Sequence, residues 1–170
     1  YNSIKVVLLK GVSLVPRIYK NIAIRPMGDC DFLVERKSLK LTEKILNEYE
    51  YYREKSLEAI MKRAVHSWER LKELKESGHL AFYKIMDLPY KNYLCLEAHI
   101  NLFRKSNRIF SDETSDYMKR AEFFSFYNVP VYCLNPSDEF VYLCTHLFYN
   151  FTDIYSVYKN TDSRLIRLCD

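Results

Sequence analysis

Hydrophobic positions at the start of the chain change from strand spacing to helical spacing and back. Residues 4–9 form a short apolar run, which is typical of a buried strand. Lys10 and Gly11 interrupt this run, and apolar residues then recur at helical spacing as far as Tyr19. After a loop, residues 29–34 read as a second strand. The pattern therefore predicts a strand, a helix and a second strand, in that order.

Two amphipathic helices are predicted in the middle of the chain. The first begins after Ser38, a residue type that caps helices, and its apolar stripe consists of Leu41, Ile45, Tyr49 and Tyr52. The second covers residues 57–74 and ends at Gly78. His66 falls on its polar face among lysines and glutamates, which is typical of a solvated surface.

A β-hairpin is predicted after these helices. Its strands are residues 81–86 and 93–102, and a loop with a proline joins them. Alternation in the second strand separates an apolar face from a face that carries Glu97 and His99. Solvation at a sheet edge explains such a face as well as a functional site does, so alternation alone leaves both interpretations open.

The last third of the chain is predicted to be mostly helical. Helical spacing covers residues 117–127, and residues 129–134 form a short strand whose proline favours a sheet edge. Asn135 predicts the start of a further helix, and its apolar stripe consists of Phe140, Leu143, Cys144, Leu147, Phe148 and Phe151. His146 lies beside this stripe, where packing is a commoner role than ligand binding. A final helix opens at residue 163, and we expect sequence to continue beyond both ends of the chain.

Composition restricts the class of protein. With 170 residues, 48% hydrophobic and 28% charged, the chain is expected to form one globular domain or one domain with a small appendage. The net charge of +4 slightly favours an anionic ligand but is too small to indicate a nucleic-acid binder. No apolar run approaches the ~18 residues of a membrane span, and the first residues do not resemble a signal peptide. Five scattered cysteines without a CxxC pair indicate reduced thiols in a cytoplasmic protein.

The clearest chemical signal is a pair of aspartates in the second strand. Asp29 and Asp31 are two positions apart, so a strand would point both to one face. Adjacent carboxylates repel each other unless a cation or a proton lies between them, and Mg²⁺ prefers oxygen ligands. The alternative is an acidic turn that opens a strand. Upstream, Gly11 at a strand-to-helix junction permits close approach of a phosphate, although a plain turn glycine is the alternative.

These signals occur in the order that metal-dependent nucleotidyl transfer requires. Such chemistry uses two metal ions, which activate the attacking oxygen and stabilise the leaving pyrophosphate. Asp29 and Asp31 would bridge the ions, and Glu97 on a neighbouring strand would complete the site on the nucleophile side. Either Glu97 or His99 could then accept the proton of the attacking hydroxyl.

The chain resembles the uncharacterised nucleotidyltransferase family of the DNA polymerase β-like superfamily. The resemblance covers nearly the whole chain, and it is carried in order by Leu8–Gly11, Leu14, Tyr19, Arg25–Val34, Leu96–His99, Leu134–Asp138 and Leu143–His146. It implies an α+β fold with a mixed β-sheet core, flanking helices and a helical C-terminal part. The core would span residues 1–103, with a helical insertion at about 55–78, and the C-terminal part would span residues 104–170. It also implies an NTP substrate, in the first instance ATP, with Mg²⁺ or Mn²⁺ held by Asp29, Asp31 and Glu97.

The phosphate-binding turn departs from the superfamily pattern. Where the superfamily has a Gly-Ser turn, this chain has Lys10 and Gly11, with Ser13 two residues later. As a hypothesis, Lys10 supplies the positive charge and Gly11 the close backbone approach, with Ser13 as a further phosphate ligand. Arg25 would either clamp a phosphate through two hydrogen bonds or pair with the aspartates in the metal-free state.

Three functions are compatible with the sequence to different degrees. The first is an enzyme that transfers a nucleoside monophosphate from an NTP to a small-molecule hydroxyl or a protein side chain. The second is a catalytically silent module that binds a nucleotide or a protein through the same fold. A nucleic-acid binder is disfavoured because Lys and Arg are spread along the helices and balanced by acids. The sequence leaves the acceptor and the oligomeric state open.

Overall fold

The computed structural model describes residues 4–19, 21–53, 79–86, 93–103, 114–126 and 128–152. Its strands are β1 (Val7–Leu8), β2 (Cys30–Leu33), β3 (Tyr52–Arg53), β4 (His79–Ile85), β5 (Tyr93–His99), β6 (Glu122–Phe126) and β7 (Val129–Cys133). Its helices are α1 (Lys10–Ile18), α2 (Leu39–Glu48), α3 (Thr114–Arg120) and α4 (Pro136–Thr152), with short 3-10 turns at Ile22–Ile24 and Arg36–Ser38. These elements confirm the predicted α+β class.

The described strands form one mixed sheet in the order β3-β4-β5-β2-β1-β7-β6. At its centre β2 runs parallel to β5 and antiparallel to β1, while β1 runs parallel to β7. Strands β4 and β5 pair antiparallel, which confirms the predicted hairpin. Because β5 lies between β4 and β2, edge solvation does not explain the polar residues of that strand.

Hydrophobic side chains pack against both faces of the sheet. The face covered by α3 and α4 has a core of Val7, Leu9, Leu33, Leu102, Phe103, Met118, Leu134 and Tyr142. The opposite face, which packs against α2, has a core of Phe32, Val34, Phe82 and Ala98. Alternation along β2 sends Phe32 to the α2 face, so Asp31 and Leu33 point towards α4. The candidate site therefore lies on the α4 face, between sheet and helix.

Helix α4 starts where the sequence predicts, but its buried side is different from the predicted one. Asn135 caps the helix, because its Oδ1 accepts a hydrogen bond of 3.0 Å from the Asp138 backbone N–H. The predicted apolar stripe is wrong: Phe140 and Phe148 are 68% and 63% exposed. The buried side instead carries Glu139 and Tyr142, because Glu139 accepts a hydrogen bond from Ser13 and Tyr142 belongs to the hydrophobic core on this face of the sheet.

Two further predictions for the C-terminal part are wrong. The helix expected over residues 117–127 ends at Arg120, and alternating phenylalanines then form β6, which gains hydrogen bonds by pairing with β7. Strand β7 is not an edge strand, since it lies between β1 and β6. Its proline is tolerated because β1 pairs only with Tyr132 and Cys133, so Pro130 has a partner strand on one side only.

The predicted start of α2 is correct, but two of its details are not. Ser38 lies at the capping position without a side-chain capping bond, and its carbonyl instead accepts a bond of 3.0 Å from Thr42 Oγ1. The helix ends at Glu48, so Tyr52 belongs to β3 rather than to the helical stripe.

Several predictions fall outside the described residues. These are the helix over 57–74 with the insertion at about 55–78, the connector after residue 152 and the helix from residue 163. The boundary between 103 and 104 lies at the end of a described range and stays a prediction. Within the described ranges, no helix is long and apolar enough to span a membrane, and the cysteines form no disulfide with one another.

Candidate metal centre

The parallel register of β2 and β5 brings three potential metal ligands together. Asp31 lies opposite Glu97, and Leu33 lies opposite His99. Because side chains alternate, Asp31, Glu97 and His99 all point to the α4 face. One ligand atom from each of these three residues lies within 4.8 Å of the other two. Within the described part of the chain, these two carboxylates and one imidazole form a group that could hold a metal ion.

Asp31 is buried and receives two hydrogen bonds on the same oxygen. Its Oδ1 lies 2.8 Å from Lys10 Nζ and 2.7 Å from His99 Nε2. The backbone fixes this arrangement, since the N–H of Leu9 donates to the Asp31 carbonyl at 3.0 Å and thereby holds the start of α1 against β2. Lys10 is therefore a cation that pairs with Asp31 in the described structure, and the roles predicted for Arg25 stay predictions.

These contacts determine the charges at the centre. Burial alone would raise the pKa of Asp31, but hydrogen bonds from His99 and Lys10 and the Lys10 charge hold it well below its usual range. Burial likewise opposes the charge on Lys10, yet Tyr142, Asp31 and Glu97 together raise its pKa above the ordinary value. Burial lowers the pKa of His99 despite the Asp31 carboxylate. At neutral pH we infer an ionised Lys10–Asp31 pair and a neutral His99 that donates its Nε2–H to Asp31.

Glu97 is the acid whose charge is least favoured here. Burial, followed by the negative charges of Asp31 and Asp29, raises its pKa to about 7, and Lys10 offsets only part of this effect. Its Oε2 lies 3.8 Å from His79 Nε2 and 3.9 Å from His99 Nε2. A raised carboxyl pKa beside a second carboxylate is the electrostatic pattern of a centre that favours an added cation.

Asp29 occupies a different environment from Asp31. It is exposed, and it lies immediately before β2 rather than within the strand. Its charge nevertheless contributes to the raised pKa of Glu97, so its carboxylate acts on the same centre electrostatically. It is not a member of the compact group of three ligand atoms, and its bridging role stays a prediction.

The start of α1 forms the second half of the site. Lys10 adopts φ of 51°, a left-handed conformation that ordinary residues seldom adopt and that often marks functional positions. A Cβ added to Gly11 would collide with Arg25 Nη1 and lie 3.1 Å from Met27 Sδ. The absence of a side chain at Gly11 therefore lets the Arg25 guanidinium pack against the first turn of α1, close to Lys10.

Ser13 faces α4 rather than the start of α1. It is fully buried, and its hydroxyl donates to Glu139 Oε1 at 2.7 Å. Arg17 donates to both Glu139 and Ser13, so these three residues tie α1 to the first turn of α4. The phosphate contact predicted for Ser13 would require its hydroxyl to leave Glu139, and it stays a prediction.

A cleft with a volume of about 80 Å³ opens beside the three ligands. Its lining combines the polar face of β5 with the buried side of α4 and includes Lys10, His79, Glu97, His99, Asn101, Tyr142, His146 and Tyr149. Tyr142 and His79 were not predicted from the sequence to be neighbours of the site. Four residues of α4 share one helical face by their spacing: Glu139, Tyr142, His146 and Tyr149. This spacing could have indicated that the side of α4 with polar and aromatic residues faces the sheet.

The family assignment agrees with this geometry. A model of the family described as uncharacterised nucleotidyltransferase matches residues 1–170. The chain belongs to that nucleotidyltransferase family. Comparisons with curated proteins and with solved structures find no match.

Nucleotidyltransferases use divalent metal ions, and the donor set of this family member fits such an ion. Two carboxylates supply hard oxygen ligands, and an imidazole adds a nitrogen. The crowding that raises the pKa of Glu97 is the kind of repulsion that a divalent cation relieves. In this family member, the Lys10 ammonium provides part of that positive charge at Asp31.

Proposed function

We propose that the protein transfers a nucleoside monophosphate from an NTP to an acceptor hydroxyl, with release of pyrophosphate. The observation that carries the proposal is the in-register pairing of Asp31 with Glu97 on adjacent parallel strands at the centre of the sheet. This pairing places two carboxylates on one buried face beside His99. A family of nucleotidyltransferases whose model spans the chain gives the reaction class.

In this proposal Asp31 and Glu97 hold Mg²⁺ or Mn²⁺, and Asp29 contributes from the residue before β2. When bound, the metal ions supply positive charge that activates the attacking oxygen and stabilises the pyrophosphate. The protein holds the two acids in place, because each is part of a strand at the centre of the sheet. Either Glu97 or the neighbouring His99 would accept the proton of the attacking hydroxyl.

The phosphate side of the proposed site is the first turn of α1. Lys10 and Arg25 bring two positive charges there, because the absence of a side chain at Gly11 lets the Arg25 guanidinium pack against that turn. An incoming triphosphate, in the first instance that of ATP, would compete with Asp31 for the Lys10 ammonium. Release of Lys10 would expose the Asp31 oxygen that it now occupies, so nucleotide and metal binding are expected to reinforce each other.

The cleft beside Glu97 is the proposed entry for the acceptor. Its small volume suits a hydroxyl-bearing side chain or small molecule rather than a second nucleotide. We assign no role to a membrane or to nucleic acid. The reduced cysteines expected from the sequence suit a cytoplasmic setting.

Pyrophosphate release from ATP in the presence of Mg²⁺ or Mn²⁺ tests the proposal directly. Asp31→Asn and Glu97→Gln should each reduce the rate by at least about 100-fold, whereas Glu48→Gln, an exposed change on α2, should leave it unchanged. Circular dichroism checks that every variant is folded. Full activity in both site variants would refute the proposal.

A catalytically silent nucleotide-binding module is the second candidate. The observation that favours it is the occupation of Asp31 Oδ1 by both Lys10 and His99, which leaves that oxygen without an evident place for a metal ion. Calorimetric titration with ATP, with and without Mg²⁺, separates the two functions. Binding that does not depend on Mg²⁺, together with no pyrophosphate release in the presence of candidate acceptors, would favour the silent module.

A further inference from the structure

Most of the histidines in the chain lie around the candidate metal centre. Three of the four histidines in the chain, His79, His99 and His146, line the cleft beside Glu97. His79 lies opposite His99 in the β4–β5 pairing, and their ring centroids are 5.2 Å apart. Mg²⁺ is usually bound by oxygen atoms alone, so a purely Mg²⁺ site gives no reason for this concentration of imidazoles.

We propose that His99 is a direct nitrogen ligand, which makes the centre selective for Mn²⁺ and similar transition-metal ions over Mg²⁺. This inference rests on the proposed metal-dependent function and specifies its metal. His99 is buried, with 7% of its surface exposed. Its Nε2 points at the two acids and lies 2.7 Å from Asp31 Oδ1 and 3.9 Å from Glu97 Oε2. Imidazole nitrogen suits Mn²⁺ and later first-row metals, whereas Mg²⁺ favours oxygen.

The separations agree with a shared ion. The three ligand atoms lie within 4.8 Å of one another. Two ligands on opposite sides of one ion are separated by about twice a ligand distance of roughly 2.2 Å, so small side-chain movements suffice. The ion would replace the hydrogen that lies between His99 Nε2 and Asp31 Oδ1, and the neutral ring would carry its proton on Nδ1 instead. No net protonation change of His99 is needed.

His79 supports this arrangement without being part of the ligand group. Its Nε2 lies 3.8 Å from Glu97 Oε2, and its ring packs beside that of His99. It therefore restricts the orientations of both Glu97 and His99 from the neighbouring strand. We assign His79 the role of a positioning residue, whose loss should weaken metal binding less than the loss of His99.

The test uses the whole protein with Mn²⁺ alone, because Mn²⁺ is paramagnetic. Electron spin echo envelope modulation of the Mn²⁺-loaded wild-type protein should show coupling to ¹⁴N, and labelling with ¹⁵N-histidine should change that signal. His99→Gln keeps an N–H donor for Asp31 but removes the imidazole. It should abolish the coupling and lower Mn²⁺ affinity about tenfold, with less than about a twofold change in Mg²⁺ affinity. His146→Gln, from the same cleft but outside the ligand group, should retain the coupling.

The wild-type spectrum tests for a nitrogen ligand even if His99→Gln fails to fold. Mn²⁺ that binds stoichiometrically without nitrogen coupling would overturn the inference and leave the proposed nucleotidyl transfer by a carboxylate-bound metal intact. Absence of binding by both Mn²⁺ and Mg²⁺, with and without ATP, would overturn this inference together with the proposed function. Equal loss of affinity for both ions in a folded His99→Gln protein would also contradict the selectivity.

Discussion

Lys10 Nζ lies 2.8 Å from Asp31 Oδ1, and this ion pair joins the first turn of α1 to the central strand β2. The Lys10 side chain is 19% exposed and that of Asp31 only 4%, so water screens the pair poorly. Each charge is stabilised partly by the other, while a hydrogen bond from His99 also stabilises the charge of Asp31 and Tyr142 also favours that of Lys10. The pair therefore has two consequences: it stabilises the metal-free protein, and it competes with a metal ion for a carboxylate oxygen.

Asp31→Asn should destabilise the protein because it leaves the Lys10 ammonium largely buried without its counter-charge. We expect a loss of about 3 kcal/mol in the free energy of unfolding. Lys10→Met together with Asp31→Asn should recover part of this loss, since neither charge is then left unpaired. Urea unfolding of the wild type, both single variants and the double variant measures the coupling. Additive effects of the two single changes would show that the pair contributes nothing.

The raised pKa of Glu97 should make the metal-free protein less stable as pH rises. Its pKa is about 7 in the folded state against an ordinary value of 4.5, so the folded state binds the proton more tightly than the unfolded state does. Between these two values the folded state holds more protons, and the free energy of unfolding therefore falls with increasing pH. The total loss should be about 1 to 3 kcal/mol.

Glu97→Gln isolates this effect. In the presence of a chelator, urea unfolding across this pH range should show a shallower decline for Glu97→Gln than for the wild type, and greater stability of the variant near pH 8. Glu48→Gln, an exposed change on α2, should keep the wild-type slope. Parallel profiles for the wild type and Glu97→Gln would mean that Glu97 ionises normally.

Gly11→Ala should weaken nucleotide binding while leaving the fold intact. The added methyl group would displace the Arg25 guanidinium, which is the end of a flexible side chain and can move without disturbing the backbone. If Arg25 binds phosphate there, the Kd for ATP should rise about tenfold, which corresponds to about 1.4 kcal/mol. Gly28→Ala is the matched control, because a Cβ at Gly28 meets no atom within 4 Å. Equal ATP affinities for both variants would remove Arg25 from the proposed phosphate site.

Ser13→Ala distinguishes a packing role from a phosphate-binding role. Its hydroxyl donates to the buried Glu139, so its loss should lower the free energy of unfolding by about 1 to 2 kcal/mol. We expect the Kd for ATP to change less than about twofold, because Ser13 is fully buried towards α4. A folded Ser13→Ala protein with much weaker ATP binding would instead support the sequence-based assignment of Ser13 to the phosphate site.

Local signals in the sequence predicted the parts of the fold that depend on local chemistry. The Asn135 cap, the hairpin of β4 and β5, and the alternation that places Glu97 and His99 on one face were all readable from spacing. The convergence of Asp31 with Glu97 was also expected, although only the register of two strands distant in sequence makes them neighbours. The mixed sheet agrees with the resemblance to the family.

The errors arise where tertiary contacts override a local pattern. Phe140 and Phe148 were predicted to lie in a core stripe, but both are exposed. The buried residue is Glu139, because Ser13 and Arg17 of α1 donate hydrogen bonds to it. The spacing within α4 is compatible with either side facing inwards, and the contacts with α1 decide between them. The pairing of Asp31 with Lys10 was missed for a similar reason: it depends on the left-handed backbone of Lys10, which sequence spacing does not specify.

The contact between His99 and Asp31 joins residues 68 positions apart in the chain. The folding chain must close this long loop before β2 and β5 can pair, and such non-local contacts slow folding. Asp31 and Glu97 consequently remain apart and hydrated until the centre of the sheet assembles. Assembly of the metal centre and pairing of β2 with β5 are thus a single event. A metal ion that binds only the assembled centre would therefore stabilise the folded sheet against unfolding.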